Sequence, residues 1–216
     1  MKPALRGVLH QWAAVFAAGA GTGLVALAPT PTARIAVAVY SASLALLFTV
    51  SAVYHRFDWP NDVRMWLRRA DHASIFLLIG GTYTPVALLG IGGEDAHHVL
   101  TLVWGGAAIG VVVSLLWPAA PKFVSAVLAV AVGWTIVPYV GVLVRSLQPA
   151  ELWLIVLGGV AYTVGALVYA MKRPDPWPRT FGYHEIFHAL TLVGAGLHLA
   201  AVLSILRSAT TLEIGT

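Results

Sequence analysis

The sequence predicts an all-α membrane protein, a bundle of seven transmembrane helices. Of its 216 residues, 59% are hydrophobic and 10% are charged, and the mean hydropathy is +0.82. A soluble domain carries about 25% charged residues, so this chain cannot cover a surface that faces water. Seven apolar runs are each long enough to cross a hydrocarbon core of about 30 Å as a helix.

The first three spans are predicted at residues 8–28, 35–54 and 73–90. The first also resembles a secretory signal peptide, since Lys2 and Arg6 precede it and residues 26–28 resemble a cleavage site. Its apolar run exceeds the usual length of about 7–15 residues, which favours a retained helix. The segment Pro29-Thr30-Pro31 separates the first span from the second, and glycines at positions 90, 92 and 93 end the third.

The remaining spans are predicted at residues 99–117, 123–144, 152–171 and 186–206. Pro118 and Pro121 separate the fourth span from the fifth, and a proline-rich loop precedes the seventh. Pro85 and Pro138 lie in or near spans, and we expect them to kink the helices there. Because every connection is short, we expect residues 1–216 to form a single domain.

The charge distribution predicts an orientation in the membrane. The net charge is +4, but the basic residues do not cluster into a face that would bind nucleic acid. They follow the positive-inside rule instead. With the N-terminus inside, ten of the 13 basic residues lie on the inner side, namely Lys2, Arg6, Arg56, Arg64, Arg68, Arg69, Lys122, Lys172, Arg173 and Arg179. We therefore predict a multi-pass protein of the cell (plasma) membrane with a cytoplasmic N-terminus and an external C-terminus.

Ionisable residues gather at the inner ends of three spans. His184 and His188 open the seventh span, four residues apart and hence on one helical face. His55 closes the second span with Ser51 one turn before it, and Asp71 opens the third. The end of the second span and the starts of the third and seventh lie on the same side of the membrane. Ionisable groups within a membrane are costly enough to indicate a functional site.

Three histidines and a carboxylate at one level match a catalytic metal site with an open position for water. The imidazoles suit zinc, although iron or copper would also accept them, and the chain has no cysteine to offer as a ligand. Ser51 can reach the water or orient a ligand, and Asp71 can take a proton from the water. His55, His184 and His188 are therefore the candidate ligands of Zn²⁺, and Asp71 and Ser51 are the candidate catalytic residues.

Each of these residues also has a plainer interpretation. His55 can be an interfacial polar residue, and Asp71 can cap the third helix. His72 is the substitute ligand if His55 is not one. His198 lies about 15 Å along the helix from His188, and we expect it to form a buried hydrogen bond. No role is assigned from the sequence to the remaining histidines, His10, His97 and His98.

The stretch from His184 to His188 also matches the H-E-x-x-H pattern of zinc proteases, in which Glu185 would be the general base. An intramembrane protease needs a third ligand downstream. After His188 the only candidates are His198 and Glu213, and neither lies on another element. A metal site that His184 and His188 share with His55 and Asp71 explains the two histidines with fewer assumptions.

Taken together, these motifs resemble the hemolysin III family, the bacterial branch of the progestin and adipoQ receptor (PAQR) proteins, which is more distantly related to alkaline ceramidases. The resemblance covers nearly the whole chain. The matching segments are Ser51-Ala52-Val53-Tyr54-His55, Asp71-His72-Ala73-Ser74-Ile75-Phe76, Gly81-Thr82-Tyr83-Thr84-Pro85 and His184-Glu185-Ile186-Phe187-His188. It implies zinc on His55, His184 and His188, with Ser51 and Asp71 beside a water on the metal.

Three functions are compatible with these predictions. The first is a zinc-dependent hydrolase that cleaves an amide or ester bond of a membrane lipid whose headgroup lies at the inner leaflet. The second is a pore or cytolysin, as the family name suggests, although four spans contain almost no ionisable residue. The third is a membrane sensor in which the zinc site is structural and nothing is turned over.

Overall fold

The computed structural model describes residues 3–214, and the regular structure in that range is helical. The helices are α1 (Val8–Leu27), α2 (Pro31–Arg56), α3 (Asn61–Pro85), α4 (Gly93–Leu116), α5 (Lys122–Gly133), α6 (Val140–Ser146), α7 (Pro149–Met171) and α8 (Tyr183–Ile214). No β-strand forms between residues 3 and 214. The predicted all-α class is therefore confirmed.

Seven segments of the described chain are long and apolar enough to cross a membrane. Six of them contain one long helix each. The fifth, Phe123–Ser146, combines α5 and α6 through a 3₁₀ turn at Val137–Tyr139. Pro138 lies in this turn, and its missing N–H explains why a single α-helix does not continue through it. The chain is thus a multi-pass membrane protein with the seven-helix architecture that the hydropathy pattern predicts.

Helix α3 is longer than the third predicted span. It begins at Asn61 rather than at residue 73 and runs unbroken to Pro85, where a π-helical segment, Val86–Ile91, continues it. The first ten residues include Asn61, Asp62 and three arginines, so hydropathy alone did not assign them to the span. As a result, Asp71 lies well inside the helix, whose acidic first-turn residue is Asp62. The interpretation of Asp71 as a helix cap is therefore wrong.

The N-terminal segment brings the start of α1 to the start of α8. The backbone N–H groups of Ala4 and Leu5 donate to the carbonyl oxygens of Arg179 and Thr180 in the loop before α8. Gly7 then turns the chain into α1 with a φ of 76°, and a Cβ at this position would lie 2.9 Å from the Cβ of His55. A side chain at position 7 would therefore keep α1 away from α2 at the level of His55.

Candidate metal centre

His55, His184 and His188 converge at one end of the bundle. All three are buried, with 9%, 7% and 2% of their surface exposed. One nitrogen of each ring lies within 4.8 Å of the corresponding nitrogens of the other two. The Nε2 atoms of His184 and His55 are 3.3 Å apart. Three imidazoles from two helices that are distant in sequence therefore point at one small volume.

The distance between the His184 and His55 nitrogens fits two ligands of one metal ion. A zinc–nitrogen bond measures about 2.0–2.1 Å, and tetrahedral geometry then places two ligand nitrogens roughly 3.3–3.4 Å apart. The separation of 3.3 Å between His184 and His55 agrees with this value. Neutral imidazoles are ordinary ligands of zinc, and three protein ligands leave a fourth position open. The residues present thus fit a zinc ion.

Asp71 and Ser51 lie beside the three histidines. The Oδ2 atom of Asp71 is 3.7 Å from Nε2 of His55, the nitrogen that also faces His184. Its side chain is 14% exposed, and it lines a cavity that the three histidines also line. Ser51 is 3% exposed and lines the same cavity. The structure therefore brings all five predicted site residues together, although their chemical roles stay predictions.

His10 is a further member of this cluster, and the sequence analysis did not assign it a role. Its ring stacks on that of His188 with centroids 3.8 Å apart and planes inclined by 8°. Its Nδ1 atom lies 2.8 Å from Oγ of Ser51. The sequence shows only that a histidine lies about one turn into an apolar first span. Its partners, Ser51 on α2 and His188 on α8, are known only from the structure.

Glu185 has a structural environment that does not suit a general base. Its carboxylate is 1% exposed and forms a salt bridge with Arg6. It also accepts a hydrogen bond from the backbone N–H of Gly182, just before α8. The cavity wall includes His184 and His188 but not Glu185. The protease-like interpretation therefore lacks its base, and Glu185 instead joins the N-terminal segment to the start of α8.

The other histidines lie in different places. His198 contacts the backbone carbonyl of Ile155 at 3.1 Å and lies beside Tyr162 on α7. His72 is half-buried and lines the cavity next to Asp71. His97 and His98 are exposed in α4, on the far side of the bundle. None of these four belongs to the group of three convergent histidines found in the described chain.

Comparison with known proteins identifies the family. Residues 1–199 match the family described as haemolysin-III related. This chain belongs to the haemolysin III family. It is 29% identical to Hemolysin-3 of Bacillus cereus over 171 residues, which are 79% of this chain and 75% of that protein. It is also similar to the Hemolysin-3 homolog of Bacillus subtilis (29% identity, 76% and 74% of the two chains).

A mammalian relative extends the similarity to the PAQR proteins. The chain is 24% identical to human monocyte to macrophage differentiation factor over 169 residues, covering 76% of this chain and 67% of that protein. The resemblance predicted from the motifs is therefore confirmed.

The cluster of this haemolysin III protein opens into a cavity of about 550 Å³ within the bundle. This volume lies in the range of about 300–1,000 Å³ that is typical of small-ligand sites. The cavity extends from the histidines toward the opposite end of the bundle between α2, α3, α5, α6, α7 and α8. Its deeper wall is mostly apolar and includes Leu47, Ile75, Leu78, Ile79, Val86, Ala129, Val130, Leu143 and Leu152. A cavity that is polar at one end and apolar along its length suits an amphiphile.

Proposed function

We propose that this protein is a zinc-dependent hydrolase that cleaves an amide or ester bond of a membrane lipid. The observation that carries the proposal is the three buried histidine nitrogens within 4.8 Å of one another, placed at the polar end of an apolar cavity. A metal site with three histidine ligands and an open position is typical of catalytic rather than structural zinc.

In this proposal His55, His184 and His188 hold the ion. Bound zinc would polarise a carbonyl group and lower the pKa of water. The buried setting of the three rings excludes bulk water from the ligands. The contact between His10 and Ser51 fixes the Ser51 side chain next to the site, and stacking on His10 fixes the plane of His188. These two contacts keep the ligand set in one geometry before a substrate arrives.

Asp71 is the proposed proton acceptor. Its Oδ2 lies 3.7 Å from a ligand nitrogen, so a reacting group at the open position would lie within reach of the carboxylate. A carboxylate held at that distance can take a proton from water and return it to the leaving amine or alkoxide. Because Asp71 lies inside α3 rather than at its end, its carboxylate is held on a rigid element.

The proposed substrate enters with its headgroup at the inner leaflet of the plasma membrane. The scissile bond then lies at the histidines, and the acyl chain lies along the apolar wall formed by α3, α5 and α7. A pore is less well supported, because the deeper wall of the cavity carries few polar groups and α1 and α4 have largely apolar sequences.

Metal analysis of the purified protein, combined with hydrolysis assays on ceramides and glycerophospholipids, tests the proposal. We expect one zinc per chain, release of fatty acid from at least one lipid class, and loss of that release after zinc is removed with a chelator. Stoichiometric zinc without any hydrolysis would contradict the enzyme and support the sensor. Hydrolysis that survives complete removal of metal would contradict the zinc mechanism.

A further inference from the structure

One face of α3 lines the cavity along its whole length. The residues on this face are Arg64, Arg68, Asp71, His72, Ile75, Leu78, Ile79, Thr82 and Tyr83. These positions recur every three to four residues, singly or as adjacent pairs, which places them on a single stripe of the helix. The chemistry changes in order along the stripe, from two arginines to the Asp71–His72 pair and then to mainly apolar side chains.

The positions in this stripe give the height of each group along the α3 axis relative to Asp71. At a rise of 1.5 Å per residue, the Cα of Arg68 lies about 4.5 Å above that of Asp71 along the helix, and the Cα of Arg64 lies about 10 Å above it. Ile75 to Tyr83 extends the apolar wall by about 12 Å on the other side. The arginines therefore lie at the mouth of the cavity, about one and two helical turns from Asp71 in the proposed reaction centre.

Arg64 and Arg68 are available to an anion. In the described part of the chain, neither forms a salt bridge with a carboxylate, whereas Arg6 at the same mouth is paired with Glu185. Arg64 is exposed and Arg68 half-buried. Two guanidinium groups one turn apart present a planar array of donors that matches the oxygen atoms of a phosphate.

We infer that the lipid recognised by this cavity carries a phosphate in its headgroup, and that Arg64 and Arg68 bind this phosphate. The inference rests on the proposed lipid site but not on turnover. With the phosphate on the arginines, the first ester or amide bond of the lipid reaches the level of Asp71, and the acyl chain follows the apolar part of the stripe. A neutral lipid with the same chains would leave both arginines without an anionic partner.

The test is a binding measurement on the full-length protein in neutral detergent. Phosphatidylglycerol and diacylglycerol with identical oleoyl chains are titrated separately, and bound lipid is quantified by native mass spectrometry. We expect the parent protein to bind phosphatidylglycerol at least tenfold more tightly, since its phosphate accepts charge-assisted hydrogen bonds from the arginines that the hydroxyl group of diacylglycerol does not match. The double variant Arg64→Gln/Arg68→Gln should lose that preference and keep its affinity for diacylglycerol within about twofold.

Arg69→Gln is the matched control. It removes the same charge from the same helix, but Arg69 packs on Trp66 at 4.4 Å from the ring centroid and does not line the cavity. This variant should keep the preference for phosphatidylglycerol. The single variants Arg64→Gln and Arg68→Gln should each lose part of it, which provides the test if the double variant does not fold.

Three results of the direct titrations would overturn the inference. They are equal binding of the two lipids by the parent protein, an equal loss in Arg69→Gln, or an equal loss of diacylglycerol binding in the double variant. Competition by sn-glycerol 3-phosphate as strong as that by the lipid would show a site for free phosphate esters. Competition by oleate of equal strength would assign the arginines to a carboxylate. The binding measurement does not depend on hydrolysis. Headgroup selectivity in a protein that hydrolyses no lipid would therefore contradict the proposed enzyme and still support this inference.

Discussion

His188 lies at the centre of the histidine cluster, because it contacts His55, His184 and His10 through its ring. We expect His188→Ala to remove most of the zinc, since the two remaining ligands hold the ion poorly. Zinc per chain is measured by elemental analysis after size-exclusion chromatography. His198→Ala is the control on the same helix, because His198 lies outside the cluster, and it should keep its zinc. Full zinc in His188→Ala would refute the ligand assignment.

Asp71 tests the proposed chemistry separately from metal binding. We expect Asp71→Asn to keep zinc and to lower the hydrolysis rate by about 10²–10⁴-fold, because an amide cannot accept a proton at neutral pH. Asp62→Asn makes the same change in the first turn of α3, where the residue is exposed, and it should leave the rate unchanged. Full activity together with full zinc in Asp71→Asn would remove the proposed base from the mechanism.

His10 is expected to position His188 through the stack between their rings. His10→Ala should weaken zinc affinity by about 10–100-fold, the usual effect of losing a group that orients a ligand. His10→Phe keeps an aromatic ring against His188 and should restore most of the affinity. Competition with a chromogenic chelator measures both values. If Phe weakens affinity as much as Ala does, the stack is not what orients the ligand.

At the scale of residues, the sequence was sufficient to bring His55, His184, His188, Asp71 and Ser51 to one site. The reasons are that span ends alternate between the two sides of the membrane and that polar residues are rare in an apolar chain. His10 was missed because its meaning depends on tertiary contacts with α2 and α8. A histidine in the first turn of a span has no local pattern that separates it from an interfacial polar residue.

At the scale of elements, α3 shows that hydropathy predicts the apolar span but not the start of the helix. Its apolar part was predicted, but the first ten residues, which include an aspartate and three arginines, were not recognised as part of the same helix. They extend the helix beyond the apolar span, and Arg64 is exposed there while Arg68 is half-buried. This extension places Arg64 and Arg68 on the cavity face and removes Asp71 from the helix end.

Close packing of α4 on α3 gives a prediction about stability. A Cβ at Gly110 would overlap the ring of Phe76, whereas a Cβ at Gly105 on the same helix would meet no atom within 4 Å. Phe76 is 1% exposed, so it has little room to move. We expect Gly110→Ala to destabilise the protein by about 1–3 kcal/mol through overpacking, and Gly105→Ala to be nearly neutral. Thermal unfolding in detergent measures both, and equal melting temperatures would contradict the close contact.

At the scale of the whole molecule, the number of spans and the helical class follow from apolar runs that match the bilayer thickness. The cavity was not predictable in the same way. It lies between α2, α3, α5, α6, α7 and α8 and has a mostly apolar wall. A run of apolar residues has the same sequence pattern whether its side chains fill a core or line a cavity. The break of the fifth span at Pro138 lies next to this space.

The orientation of the whole molecule is the last prediction. The side of the bundle that holds the histidines also holds Arg6, Arg56, Arg64, Arg68 and Arg69, together with the loop before α8. By the positive-inside rule this side faces the cytoplasm, which places the C-terminus outside after seven spans. An alkaline phosphatase fused at the C-terminus should therefore be active, and a green fluorescent protein fused there should be dark. Fusions within residues 172–182, one span earlier, should show the reverse pattern and serve as the control.

Phosphatase activity in that loop, with fluorescence at the C-terminus, would place the histidine cluster at the outer leaflet. Cleavage of the first span would remove His10 and Arg6 from the site, so the intact mass of the purified protein is measured alongside the fusions.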